Sequence, residues 1–144
     1  NLVGDDIHQF SAANVSVAIA TDDGLFSATL YAADTKSPAE ISATTAELAD
    51  KAQNGKLTKE DISGGSFTVS NLGMYGITQF TAIVNPPMGA ILALGKATQT
   101  VVIDNGEQRI ATVLNATLSC DHRVIDGAVG AQYLAALSEV IRSL

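Results

Sequence analysis

The chain has 144 residues, 47% of them hydrophobic, and a formal net charge of −7. That length supports one domain with a sizeable core and is too short to expect two, while eight scattered Lys and Arg in an acidic chain speak against a nucleic-acid groove. No apolar run approaches the width of a bilayer, and a single cysteine permits no internal disulfide, which fits a reducing compartment.

The chain opens with Asn1 rather than methionine and without a secretory signal, which suggests a processed or incomplete polypeptide. Asn1 to Ala13 shows no clear period and is read as loop with one short strand. Val15, Val17 and Ile19 alternate as a strand, Thr21 to Gly24 supplies turn chemistry, and Leu25 to Tyr31 is a second strand, so the pair reads as a hairpin. Ser37 and Glu40 form a capping box with proline at the first helical position, which starts a helix running through Ile41, Leu48 and Ala52 to a stop at Asn54 and Gly55. A further short helical turn is expected from Thr58 to Asp61, broken at Gly64 and Gly65.

Ser66 to Asn71 reads as the next strand, and Gly73 and Gly76 enclose a loop. Another strand is expected over Gln79 to Val84, stopped by Pro86 and Pro87. Ile91 to Gly95 is short and apolar, Thr100 to Ile103 is a strand, and Asn105 and Gly106 turn the chain into one long strand from Ile110 to Ser119. From Asp126 onward Val129, Tyr133, Leu137, Val140, Ile141 and Leu144 recur at helical spacing and predict one buried face. Asn14 and Asn115 begin formal glycosylation sequons, but both lie in strand-like runs and are read as coincidence. Several hairpin-connected strands with two substantial helices predict an α+β fold, a mostly antiparallel sheet with helices on one face.

Chemistry concentrates in Leu118 to Gly130, where a strand gives way to a helix. His122 is one of two histidines, and imidazole is the side chain best suited to proton transfer near neutral pH. His8 has no such surroundings. The plain alternative is a structural loop histidine with Asp126 as a helix cap. Cys120, two residues from His122, leaves a cysteine hydrolase as a minor reading, although Cys is also a common small core residue.

His122, Asp126 and Gly127 match the H-x-x-x-D-G signature of the dihydrolipoamide acyltransferases and, more distantly, of the chloramphenicol acetyltransferases. Gly64 to Gly95 resembles the second signature block of the same acyltransferases, in the expected order, and the resemblance runs from about Asn14 to the end. The wording of Ser70 to Ile77, Thr81 to Pro87 and Ser119 to Gln132 is most similar to the acetyl-transferring type found in pyruvate dehydrogenase complexes.

The resemblance implies a chloramphenicol-acetyltransferase-like fold, with 1–144 as the C-terminal portion of the catalytic core domain and the N-terminal part of that domain absent. It implies acetyl transfer between dihydrolipoamide and coenzyme A, without a covalent acyl-enzyme. His122 would be the base, Ser70 the oxyanion donor, and Asp126 a carboxylate bracing the loop through an arginine, which is either Arg123, the local candidate, or a residue of the absent N-terminal segment. Asn71, Gly73 and Gly127 would be structural, and no metal is implied. Coenzyme A enters as substrate, and the lipoyl group is expected on a lipoyl domain outside this chain. Implied partners are two further copies in a homotrimer that assembles into a cubic or dodecahedral core through its C-terminal region near Leu144, and the pyruvate dehydrogenase and dihydrolipoamide dehydrogenase components; neither nucleic acid nor membrane is implied. The compartment would be the mitochondrial matrix in a eukaryote or the cytoplasm in a bacterium. One departure is Leu25 to Leu30, which lacks the family's usual Thr-Pro pair after Gly-Leu. A non-catalytic core subunit with the same fold is the alternative within the family, and a drug acetyltransferase, sharing the histidine motif but not the Ser70 block, the alternative beside it.

Overall fold

Local chemistry sets the first elements in the computed structural model, which describes residues 1–143. A short arm pairs β1 (Leu2–Val3) with β2 (Asp6–Ile7), so Asn1 to Ala13 holds two very short strands. The hairpin of β3 (Val15–Thr21) and β4 (Gly24–Leu30) follows, then α1 (Pro38–Gln53). At the start of α1 the Ser37 hydroxyl accepts from the Glu40 amide and the Glu40 carboxylate accepts from the Ser37 amide at 2.8 Å, so two orphan amides are satisfied reciprocally. Thr58 and Asp61 repeat the device at smaller scale, but only a turn follows, because Gly64 and Gly65 lead straight into β5 (Phe67–Asn71). β6 (Ala90–Leu94), β7 (Thr98–Asp104), β8 (Glu107–Val113), β9 (Ala116–Cys120) and α2 (Gly127–Arg142) complete the chain.

The central sheet has five strands in the order β4-β3-β5-β6-β9. The fold is α+β as expected, and its ladders are antiparallel except β3 with β5 and β5 with β6, which run parallel and make this sheet mixed. Val17, Val69, Leu92 and Leu118 are register partners across it and share one face. On that face α1 seats Leu48 and Ala52 against Ile19 and Ala28. Burying Leu48 alone contributes about 2 kcal/mol. Tyr133 of α2 lies on the same face, its ring centroid 5.6 Å from that of Phe67, so both helices cover one side.

The opposite face carries small polar residues, yet Ser16, Thr29 and Thr68 are buried. They satisfy one another and a neighbouring thioether: Ser16 and Thr29 hydroxyls lie 2.9 Å apart, and Thr68 donates to the Met88 sulfur at 2.7 Å. The chain closes over them at Gly65, where a Cβ would overlap the Ser16 hydroxyl.

Three expectations change. No strand forms over Gln79 to Val84: Ile77 and Thr78 spend their carbonyls on Lys96, just past β6, and Asn115, just before β9, and Ile83 is 90% exposed with no ladder to join. Ile110 to Ser119 is two strands, β8 in a separate ribbon with β7 and β9 in the central sheet, because the chain crosses between sheets at Leu114 and Asn115. Finally, α2 exists at the expected place, but Val129, Tyr133, Val140 and Ile141 are 41–59% exposed, and the residue buried against β9 is Gly130. Leu144, expected on that face and at the assembly contact, lies outside the described residues.

Candidate active site

His122 sits in the turn of residues 122–124 that follows β9, two residues past the last strand residue, with its side chain exposed. Asp121 anchors this turn. Its amide donates to the Gly89 carbonyl at 2.9 Å, and its own carbonyl accepts from Val124 at 2.9 Å and Ile125 at 3.0 Å. The Asp121 carboxylate accepts from the Arg123 amide and from its guanidinium, at 3.0 Å from N, 2.9 Å from Nε and 2.6 Å from Nη2. Chiefly through the guanidinium, these bonds hold the Asp121 pKa down at about 2.

Asp126 ends the turn as the N-cap of α2, with extended backbone and its carboxylate accepting from the Val129 amide at 2.9 Å. Arg123 therefore pairs with Asp121 and not with Asp126, which removes the local candidate for the bracing arginine: the two-residue Asp-x-Arg spacing lets carboxylate and guanidinium meet across the turn. Gly127 is the first helical residue with open space around its Cα, and close packing falls to Gly130, where a Cβ would stand 3.5 Å from Leu118 and 3.7 Å from Cys120. Asp121 and Gly130 were missed in the sequence; the Asp-x-Arg spacing was the available signal for the first.

Between β9 and the start of α2 is a cleft of about 310 Å³ with His122, Cys120 and Asp126 on its walls and Leu118, Ile125 and Leu134 as apolar lining. A larger concavity, about 380 Å³, opens under the N-terminal arm beside His8, Phe10 and Asp34, away from the histidine turn. The smaller cleft is the better candidate, because it joins an apolar wall to a strand-end base. Burial raises the Cys120 pKa and keeps the thiol neutral, the opposite of what a cysteine nucleophile requires. Among the described residues, no three His, Cys, Asp or Glu side chains are placed to share a metal ion.

Ser70 lies elsewhere. It is half-buried on β5 and shares a face with Thr68, opposite the helices, paired in register with Ala93 and through it with Thr117. His122 follows Cys120, which pairs with Ala90, so Ser70 and His122 are separated by two strand spacings and more than three residues of strand, roughly 15 Å. Within one chain the structure does not bring them together. Asn71 accepts from the Gly73 amide at 2.8 Å and ends β5 in a tight turn, where a Cβ on Gly73 would press on the Lys96 backbone at 3.0 Å.

The mixed sheet carries a histidine turn between its edge strand and a capped helix, and residues 2–144 match the sequence profile of the 2-oxoacid dehydrogenases acyltransferase (catalytic domain), which sets the class. The chain belongs to that family. It is 45% identical over 141 residues to the dihydrolipoyllysine-residue acetyltransferase component of the pyruvate dehydrogenase complex of Rickettsia bellii, covering 97% of this chain and 34% of that protein. A probable dihydrolipoamide acetyltransferase from Listeria monocytogenes superposes with a TM-score of 0.94 at 36% identity, over 99% of this chain and 61% of that one. For dihydrolipoamide acetyltransferase from Azotobacter vinelandii, solved to probe a serine, a histidine and an asparagine in its catalytic mechanism, the values are 0.88, 39%, 92% and 54%. The cubic core of a pyruvate dehydrogenase multienzyme complex gives 0.87, 38%, 91% and 54%. The chain thus spans about a third of its curated relative and between half and two thirds of these solved chains.

Proposed function

We propose that this chain is the catalytic portion of an acetyltransferase that moves an acetyl group between dihydrolipoamide and coenzyme A. One observation carries the assignment of residues. The serine and histidine studied in the Azotobacter enzyme are 52 positions apart and its histidine and asparagine four, the same intervals that separate Ser70 from His122 and His122 from Asp126.

The chemistry follows from the groups present. A thiol of reference pKa about 8.5 is mostly protonated at neutral pH, and the thiolate is the nucleophile. The exposed His122 imidazole, on a turn anchored from both sides, takes the coenzyme A thiol proton as the sulfur attacks the acetyl carbonyl of acetyl-dihydrolipoamide. The carbonyl oxygen becomes an oxyanion that accepts a hydrogen bond from the Ser70 hydroxyl, and donors of that kind contribute about 3 kcal/mol at the transition state. Collapse expels the dihydrolipoamide sulfur, which recovers the proton from the imidazolium, and acetyl-coenzyme A leaves. Asp126 sets the start of α2 and so one wall of the cleft.

Because Ser70 and His122 stand apart in one chain, the site is completed across a subunit boundary, His122 of one copy meeting Ser70 of the next in a homotrimer. Such trimers would form a cubic or dodecahedral core that serves pyruvate dehydrogenase and dihydrolipoamide dehydrogenase components and lipoyl domains carried outside this chain. The compartment proposed with this reading is the mitochondrial matrix in a eukaryote or the cytoplasm in a bacterium.

Ser70→Ala and His122→Ala in the assembled full-length protein test the reading, with acetyl transfer from free acetyl-dihydrolipoamide to coenzyme A as the assay. Each should lower kcat roughly a hundredfold or more, Ser70→Ala with little change in KM for coenzyme A, because its bond exists only at the transition state. A His122→Ala protein with near-normal turnover would sink the assignment. A wild-type core that assembles and transfers no acetyl group would support the non-catalytic subunit instead.

A further inference from the structure

We propose that Asp121 is a positioning residue for the acetyl-transfer reaction, holding the His122 turn through a carboxylate that grips both the main chain and the guanidinium of Arg123. The inference rests on His122 being the base. It is drawn from the placement of bonds on either side of that residue. Asp121 uses its amide, its carbonyl and both carboxylate oxygens in the turn, reaching Gly89 on one side and Arg123, Val124 and Ile125 on the other. The His122 side chain has no hydrogen bond among the described residues, so no polar partner fixes its direction and the backbone that Asp121 pins before and after it sets where the ring leaves the chain. The carboxylate is mostly shielded, with 19% of its side-chain surface exposed, whereas Arg123 keeps 69%. Loss of this grip frees the turn without opening the core, and a base displaced by about 1 Å costs on the order of a hundredfold in rate.

The pair also cancels charge beside the base. The titratable groups around His122 are Cys120 and Asp126 on the cleft wall and Asp121 and Arg123 next to it, and the first turn of α2 adds no acidic side chain. Removing one partner leaves the other's charge uncompensated one residue from the imidazole, with opposite consequences for its protonation.

The experiment compares Asp121→Ala, Asp121→Asn and Arg123→Ala in the assembled full-length protein, with His122→Ala in parallel. Asp121→Ala should lower kcat roughly a hundredfold while KM for coenzyme A and assembly stay near wild type. Asp121→Asn keeps an oxygen for the Arg123 amide and should recover part of that loss; Arg123→Ala, which removes the same ion pair from the other side, should cost about as much as Asp121→Asn. The acid limb of the pH–rate profile should move to lower pH in Asp121→Asn, where an unpaired cation opposes imidazolium, and to higher pH in Arg123→Ala, where an unpaired carboxylate favours it. If Asp121→Ala fails to assemble, the opposed pH shifts of the other two decide. Asp121→Ala within about threefold of wild-type kcat, or pH limbs that move together, would overturn the proposal while His122→Ala stays inactive; an active His122→Ala would instead remove the base reading beneath it.

Discussion

At the scale of single residues, what a side chain does follows from which neighbour completes its hydrogen bonds. Asp126 and Asp121 are both carboxylates within four residues of His122, yet one caps a helix and the other clamps a turn. Cys120 shows the same dependence on surroundings: it faces the cleft beside a candidate base, but burial keeps its thiol protonated. Cys120→Ala should therefore keep most of the acetyl-transfer rate and change stability modestly, as for one small residue replaced by another. Loss of turnover in a correctly assembled Cys120→Ala protein would bring the cysteine nucleophile forward. His122, Ser70 and Asp126 were legible as candidates because motifs preserve residue order. The partner of Arg123 was not, since a turn's geometry decides which of two nearby carboxylates a guanidinium reaches.

At the scale of elements, α1 was the most readable part of the chain because its signals are local. The capping box, the proline at the first position and the Leu48 and Ala52 stripe all lie within the helix or one residue before it. The Ser37 hydroxyl, followed by its amide, lowers the Glu40 pKa by bonding the ionised form. A depressed carboxylate pKa gives stability that is present above the ordinary carboxylate range and lost as pH falls through the depressed value. Ser37→Ala should cost about 1 kcal/mol at neutral pH and flatten the acid limb of the stability profile, both measurable by denaturant titration at several pH values. An unchanged acid limb would count against the reciprocal bond. α2 read correctly in extent and wrongly in burial, because periodicity shows that a face is apolar and not what covers it. The long strand before His122 failed for a related reason: alternation persists from Ile110 to Ser119, and only the partners of each half show that it serves two sheets.

At the scale of the whole molecule, Ser70 on β5 and His122 in the turn beyond β9 stand apart in one chain, so the catalytic role proposed for both calls for more than one copy of the chain. Mixing Ser70→Ala with His122→Ala subunits should then restore activity in hybrid particles, since some interfaces pair an intact Ser70 with an intact His122. Verified hybrids without activity would place both groups in one chain's site or take Ser70 out of it. By itself the sequence determined the α+β class, the helix starts, the hairpin turns and the family, because caps, turns and motifs are carried by residues close together in the chain. Only the tertiary structure decided which strands run parallel, which face each helix covers, that Arg123 answers Asp121, and that Ser70 and His122 are apart. Those depend on hydrogen-bond partners and packed faces contributed by residues far along the chain, whose pairing no local pattern encodes.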